Sequence, residues 1–421
     1  MGSTLAEKKA RLQKIMDAQN KSAGSIVVGY GKDIAKPLEF LPTPSQEFNL
    51  ITGGGFPKGR ITEIFGPQSS GKTSLVEETI GEDMARDPDA IWVWGETEEP
   101  FDMDYASLIH GIDPDRLILV EQDESGGETL IDRMEPYLRS GDIKGFAINS
   151  VAGLTPKKEL SESMEKQDIA LQARMMSKLM RKWTAIIAKR GLYAIFINQL
   201  RTNVGVMFGD PNVTTGGRAL AYYSSLRVGL NKLVFDDAEK KIYPDDEFMK
   251  IGVRIAKNRC VYDNPYKKGQ YVIKYGEGVD KVSEIISKAP EAGILRNSGA
   301  WYYYEKEDGE LIVAKKAVVD GKPKLNVPLK WNGRAELRKF LIENDWFVTQ
   351  LREELAGAVS RGQLLPTYQS EEEMEEIRKL EAIEAEIAAE EEKLAKESVP
   401  KAKRKGKAEK GDKPKSKSKK E

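Results

Sequence analysis

The chain has 421 residues, 40% of them apolar, and a formal net charge of −1, which suits one large core with appendages. A single cysteine, Cys260, and a single histidine, His110, exclude a disulfide framework, a cysteine-cluster zinc site and a histidine-based triad; both read as structural, Cys260 as a small buried hydrophobe in a strand. No apolar run approaches the ~18 residues of a membrane span, the N-terminus reads as a charged helix instead of a signal peptide, and Ala6 replaces the hydroxyl of a myristoylation start, so a soluble cytoplasmic protein is expected.

In chain order, residues 5–18 predict a charged helix with Leu5, Leu12, Ile15 and Met16 on one side, and 25–28 a short strand. Residues 1–35 cannot enclose a core, so this arm is expected to dock on its own body or on a neighbour. From 36 to 275, strand-like runs at 60–65, 90–95, 116–121, 145–149, 192–198, 225–231, 250–257 and 270–275 are interleaved with helical stretches that include 72–86, 127–139 and 168–190. That alternation defines an α/β core with a mostly parallel central sheet. Residues 276–360, with an aromatic run at 301–304 and a helix near 334–343, read as a small α+β domain. Residues 361–421 form a charged tail. Within it 371–397 carry twelve Glu against four Lys or Arg, and 399–421 carry eleven Lys or Arg against three acidic residues. The basic end has too few apolar residues to fold. A solubilising role and an interaction or autoregulatory role both fit this tail.

The most informative stretch is Gly66, Pro67, Gln68, Ser69, Ser70, Gly71, Lys72 and Thr73, a complete GxxxxGK[ST] loop between a strand and a helix. Gly66 and Gly71 let the backbone turn its N–H groups toward phosphate oxygens, and the following helix adds partial positive charge at its N-terminus. Lys72 can reach β- and γ-phosphates, and the Thr73 hydroxyl can ligate Mg²⁺. A nucleotide site is expected.

Such a site also needs a group to activate water, a partner for Mg²⁺ and a sensor of the γ-phosphate. Glu96 ends an apolar strand and is the candidate to orient and deprotonate water, although Glu98 and Glu99 leave the choice open on spacing alone. Asn149 ends the strand where an Asp is expected. It can accept from Mg²⁺-bound water without contributing charge, a loss of about 1–2 kcal/mol in ion binding. Gln199 closes the next strand, and its amide could reach a γ-phosphate. A long Gly/Thr/Asn-rich loop, 200–217, follows. Thr214, Thr215, the N–H groups of Gly216 and Gly217, Arg201 and Arg218 suit a phosphodiester backbone, and Val204 suits a wedge between bases. A substrate lid is an equally fair reading of the loop.

The phosphate loop, 150–157 (Ser-Val-Ala-Gly-Leu-Thr-Pro-Lys), 173–177 (Ala-Arg-Met-Met-Ser), 197–201 (Ile-Asn-Gln-Leu-Arg), 214–217 (Thr-Thr-Gly-Gly), 257–259 (Lys-Asn-Arg) and 275–278 (Tyr-Gly-Glu-Gly), in this order, closely resemble the bacterial RecA-type homologous recombinases. The resemblance runs from about residue 5 to 345 and leaves the tail outside. It implies a RecA-like P-loop NTPase core that uses ATP and Mg²⁺ and forms a homo-oligomeric filament on single-stranded DNA. That filament pairs with homologous double-stranded DNA and exchanges strands, served by single-strand-binding or loading proteins. The arm would pack on the adjacent protomer, and loops near 159–169 and 200–217 would bind DNA. Arg174, Ser177, Arg181, Arg201, Thr215, Gly216 and Gly217 match DNA-contacting positions, and Ile169 and Val204 match apolar wedges. Asp102 and Tyr105 fit an adenine-side pair behind a small insertion. Lys257 and Arg259 match a basic pair that reaches a neighbour's ATP, and Tyr222 an aromatic relay between subunits.

Three positions depart from that pattern. Asn149 stands for an Asp, Trp94 for an Asp on the Glu96 strand, and Ala221 for an interface Lys. These departures suit slow hydrolysis, and with the mixed tail they suit a phage-encoded or otherwise divergent member, then in its host's cytoplasm. Two other classes stay open: an accessory single-stranded-DNA-binding ATPase or mediator with weak hydrolysis, and a helicase-type motor on the same core.

Overall fold

The computed structural model describes residues 3–24, 28–31, 37–161, 170–202, 212–237, 239–261, 266–306 and 309–360. The N-terminal helix spans Leu5–Ala23. Thr4 and Glu7 form a reciprocal capping box at its start, and Gly24 stops it in the left-handed region at φ 65°. It outlasts the expected segment because no residue before Gly24 breaks it. Met16 is buried, whereas Leu5, Leu12 and Ile15 remain 69%, 51% and 54% exposed. Of the strand expected at 25–28, residues 25–27 lie outside the described residues. Val28 is not in a strand: it exchanges two hydrogen bonds with the Asn20 side chain, at 2.8 and 2.9 Å.

Strands β1 (Phe40–Leu41) and β2 (Phe56–Pro57) form a small ribbon before the main sheet. That sheet contains β3 (Ile61–Gly66), β4 (Trp92–Glu96), β5 (Leu117–Glu121), β6 (Gly145–Asn149), β7 (Tyr193–Thr202), β8 (Asn212–Thr214), β9 (Leu226–Leu233), β10 (Phe248–Asn258), β11 (Lys268–Lys274) and β12 (Gly278–Val279). Its order is β12-β11-β10-β9-β3-β7-β6-β4-β5, with β8 paired to the end of β7. The six strands from β9 to β5 are parallel, and β10, β11 and β12 add antiparallel. Both faces are covered, so the central strands are buried along their whole length and read as continuous apolar runs. Side-chain alternation divides them between two cores. Trp92, Trp94, Ile195 and Ile197 join Phe48, Leu75 and Ile251 on one face; Val93, Phe146, Ala194 and Phe196 join Met176 and Trp183 on the other.

Two expectations need correction. Cys260 lies just beyond β10 and is only half-buried, because the strand ends at Asn258; partial burial still pushes its thiol up to about 11 and leaves it unreactive. The stretch 200–217 is not all loop. Leu200, Arg201 and Thr202 continue β7 and pair with Thr214, Val213 and Asn212 of β8 in an antiparallel ribbon.

A third core, around Trp331, Phe340, Phe347 and Leu351, organises residues beyond β12. It is built from the helices Lys281–Glu291, Arg334–Glu343 and Asp345–Ser360 with short antiparallel strands between them. Buried charges tie it to the sheet domain. The Glu284 carboxylate accepts from Ser45 Oγ at 2.6 Å and from Gln46 N at 2.7 Å, which caps the helix Gln46–Thr52 from outside. Lys281 reaches Glu78 (3.1 Å) and Glu82 (2.8 Å), and Arg352 reaches Glu82 (3.0 Å).

Candidate functional site

Strand register sets the site. Gly66 of β3 is level with Gln199 of β7, and Glu96 of β4 is level with Asn149 of β6, so four chemically distinct groups share the carboxyl edge of the parallel sheet. From Gly66 the chain turns through the phosphate loop into the helix Lys72–Arg86, whose N-cap is Gly71 at φ 75°. A Cβ at Gly71 would come within 2.7 Å of Ile273, so both conformation and close packing require glycine there. Pro67, Gln68 and Ser69 are exposed; Ser70 and Lys72 are buried, and Thr73 is half-buried at the first turn. The Lys72 ammonium folds back into the loop, donating to Pro67 O at 2.6 Å and Ser70 Oγ at 3.3 Å. Burial lowers its pKa, and attraction to Glu98 opposes that.

Glu96 is buried, and its carboxylate accepts four hydrogen bonds. Oε2 takes Trp94 Nε1 (2.9 Å) and Asn149 Nδ2 (3.0 Å); Oε1 takes the backbone N–H groups of Thr97 and Glu98 (both 2.9 Å). Two positions where the resemblance leads one to expect acids thus hold donors that pin the remaining acid. Asn149 Oδ1 is buried with no hydrogen-bond partner among the described residues. A cis peptide joins Asn149 to Ser150. Glu98, exposed at the same edge, accepts through Oε1 from both Gln199 Nε2 and Ser150 Oγ, each at 2.5 Å.

Tyr105 lines an open cleft of about 220 Å³ beside the phosphate loop, together with Ser69, Ser74, His110 and Tyr275. Asp102 accepts from Tyr105 N at 2.9 Å and caps the helix Met103–His110 that carries this wall. His110 is buried edge-on to Tyr105, its Nε2 3.4 Å from the Glu77 carboxyl. Burial, with the charges of Glu96 and Asp102, pushes Glu77 up to about 8, and burial brings His110 down to about 4. At neutral pH both are uncharged. Sequence reasoning assigned neither Glu77 nor a cleft role for His110, because only the packing of two helices brings them together.

The helix Leu171–Arg190 presents Arg174 and Arg181 exposed, with Ser177 half-buried between them on the same face. Its buried side supports the glycine turn after β8. The Gly216 N–H donates to Gln172 Oε1 (3.1 Å), and a Cβ on Gly217 (φ 76°) would strike Ala173 at 2.6 Å. Thr215 is buried, and its hydroxyl donates to Asn198 Oδ1 at 2.5 Å. Asn198 also donates to Glu63 (2.8 Å), which Arg227 Nε contacts at 2.5 Å. The Thr215 hydroxyl and Gly216 N–H are therefore engaged inside the chain, whereas Arg201, Gly217 and Arg218 are exposed. Tyr222 is 69% exposed, and Arg259 is exposed as well. Lys257 donates to the carbonyls of Ala221 (2.8 Å) and Tyr222 (2.9 Å). Ile169, Val204 and the tail 361–421 lie outside the described residues.

A phosphate loop at the centre of a parallel sheet, with an acid, an amide and a β-ribbon on the same edge, defines a P-loop NTPase core. A model of the RecA N-terminal domain matches residues 9–280. The chain is 37% identical over 325 residues to protein RecA of Bacteroides thetaiotaomicron, covering 76% of this chain and 94% of that one. To protein RecA of Aquifex aeolicus it is 37% identical over 308 residues, 72% of this chain and 86% of the other. To that of Chloroherpeton thalassium it is 38% identical over 303 residues, 72% and 82%. The chain belongs to the RecA family: it is an ATP-dependent DNA recombinase of recombination and repair, with DNA-dependent ATPase activity. Among the described residues no helix is long and apolar enough to cross a membrane.

Proposed function

We propose that this protein assembles as a helical homo-oligomer on single-stranded DNA, pairs it with homologous duplex and exchanges strands in the cytoplasm, with ATP held at 66–73. The observation that carries this reading is the continuity of β7, which runs from Gln199 at the phosphate-loop edge into the β7–β8 ribbon without a break. Gln199 reads the γ-phosphate, and the ribbon with Arg174, Ser177, Arg181, Arg201, Gly217 and Arg218 meets DNA phosphate. Ile169 and Val204 belong to that surface in the same proposal, and Thr215 and Gly216, engaged inside the chain, shape the turn beneath it. The exposed apolar stripe of Leu5, Leu12 and Ile15 supports packing on a neighbouring copy. Tyr222, Lys257 and Arg259 are assigned to the opposite side of that interface, toward the neighbour's nucleotide.

Lys72, the loop N–H groups, Tyr105 and Asp102 bind and orient the nucleotide. The residues present fit Mg²⁺: the Thr73 hydroxyl is at the first turn, and the unpartnered Asn149 Oδ1 can accept from a metal-bound water. When bound, Mg²⁺ neutralises charge on the β- and γ-phosphate oxygens. Glu96 positions the attacking water. Held by four donors and flanked by the uncharged Asn149, it supports slow turnover. Single-strand-binding or loading proteins would serve as further partners. Strand exchange between circular single-stranded DNA and homologous linear duplex is the test. With ATP or a slowly hydrolysed analogue joint molecules should form, and Lys72→Ala should abolish them. Nucleotide-dependent DNA binding without joint molecules would favour the accessory role instead.

A further inference from the structure

Among the described residues, Glu98 is the one carboxylate whose side chain touches the Gln199 amide. Its Oε1 takes the Gln199 amide and the Ser150 hydroxyl together, at 2.5 Å each, and no other side-chain contact of the Gln199 amide is found among the described residues. The carboxylate is exposed, yet its backbone is fixed. Glu98 N donates to Glu96, and Thr97 exchanges hydrogen bonds with Ser150 through its hydroxyl, at 2.8 and 2.9 Å. Lys72, the phosphate-loop cation, feels the Glu98 charge as its largest electrostatic partner. The Gln199 amide and the Ser150 hydroxyl therefore converge on one acidic oxygen supplied by the chain, while Lys72 feels its charge without touching it.

We infer that Glu98 is a positioning residue that stands in for the terminal phosphate. It holds Gln199 and Ser150 until a γ-phosphate takes them, and so it sets the nucleotide concentration at which the β7–β8 ribbon responds. The chemistry is competition. A carboxylate and a phosphate offer similar charge-assisted acceptors to the same amide, and two like charges within a few ångströms repel, so the phosphate's arrival expels Glu98. The apparent nucleotide dissociation constant is the intrinsic one divided by the fraction of molecules with Gln199 released, which makes the contact a built-in threshold. This inference rests on the reading of Gln199 as the sensor.

The test uses the full chain, a fluorescent single-stranded oligonucleotide and a slowly hydrolysed ATP analogue. Glu98→Ala should lower the analogue concentration for half-maximal DNA binding by about five- to tenfold, and Glu98→Gln, which keeps an acceptor but loses the charge, by a smaller factor. Nucleotide-free DNA affinity should rise in both. Gln199→Ala should flatten the nucleotide response whatever stands at 98. If Gln199→Ala flattens the response and both Glu98 variants titrate like the parent, the stand-in role is wrong and the sensor survives. A normal nucleotide response in Gln199→Ala sinks the sensor and, with it, this inference. Loss of DNA-stimulated turnover by more than about a hundredfold in Glu98→Gln, at an unchanged threshold, would make Glu98 the base that activates water and overturn the stand-in.

Discussion

At the scale of single residues, Glu77 and His110 make the cleft beside the phosphate loop sensitive to pH in a calculable direction. Glu77 is protonated in the fold up to about pH 8 against 4.5 for the ordinary side chain, so its contribution to stability is full below about pH 4.5 and is lost as pH rises toward 8. His110 runs the other way: its neutral form is favoured, and stability is lost as pH falls from about 6.5 toward 4. Both are neutral between, and the pair stabilises the wall of the cleft best near pH 5–6.5. Glu77→Gln should remove the alkaline limb. Between pH 6 and 8.5, denaturant unfolding of the nucleotide-free protein should lose about 2 kcal/mol less in the variant than in the parent. Parallel pH profiles for the two proteins would show that Glu77 ionises as freely in the fold as in water. Trp94 and Asn149 belong to the same scale. As letters they marked missing acids; as atoms they are two N–H donors on one Glu96 oxygen.

Among elements, β7 joins the phosphate-loop edge to the β7–β8 ribbon. Alternation along a strand puts Gln199 and Arg201 on one face and Leu200 on the other. One residue inserted after Leu200 reverses that parity and turns Arg201 to the wrong face; two restore it, at the cost of about 7 Å of extra ribbon. Single-stranded DNA binding with the ATP analogue should therefore fall at least tenfold for one inserted alanine and recover in part for two. A monotonic decline with insert length would mean that reach, not facing, matters. Much of this was legible beforehand. The phosphate loop, Glu96, Asn149 and Gln199 end strands that apolar runs reveal, and the parallel register then aligns them. The ribbon was not legible, because 200–202 and 212–214 are only three residues each and are separated by nine residues that include Gly205, Gly209 and Pro211, so local pattern shows a loop where pairing makes a strand. Glu98 was one of three adjacent acids, and only the fold shows which one meets Gln199.

For the molecule as a whole, the Lys72–Arg86 helix is held at both ends. Its first turn closes the phosphate loop; its later turns carry Glu78 and Glu82, which Lys281 and Arg352 grip from beyond the sheet. Removing Arg352 leaves the half-buried Glu82 with Lys281 alone among the described residues, so Arg352→Ala should loosen the third core more than a surface change would. A helix is a rigid rod, and free energy spent at either end belongs to the same equilibrium. Thermodynamic reciprocity follows: whatever the nucleotide does to the helix Asp345–Ser360, that helix does to the nucleotide by the same factor. Amide hydrogen exchange in 345–360 should slow when nucleotide binds, and Arg352→Ala should weaken nucleotide binding about fivefold. Exchange rates there that ignore the nucleotide, with affinity unmoved by Arg352→Ala, would mean that the two ends of the rod keep separate accounts.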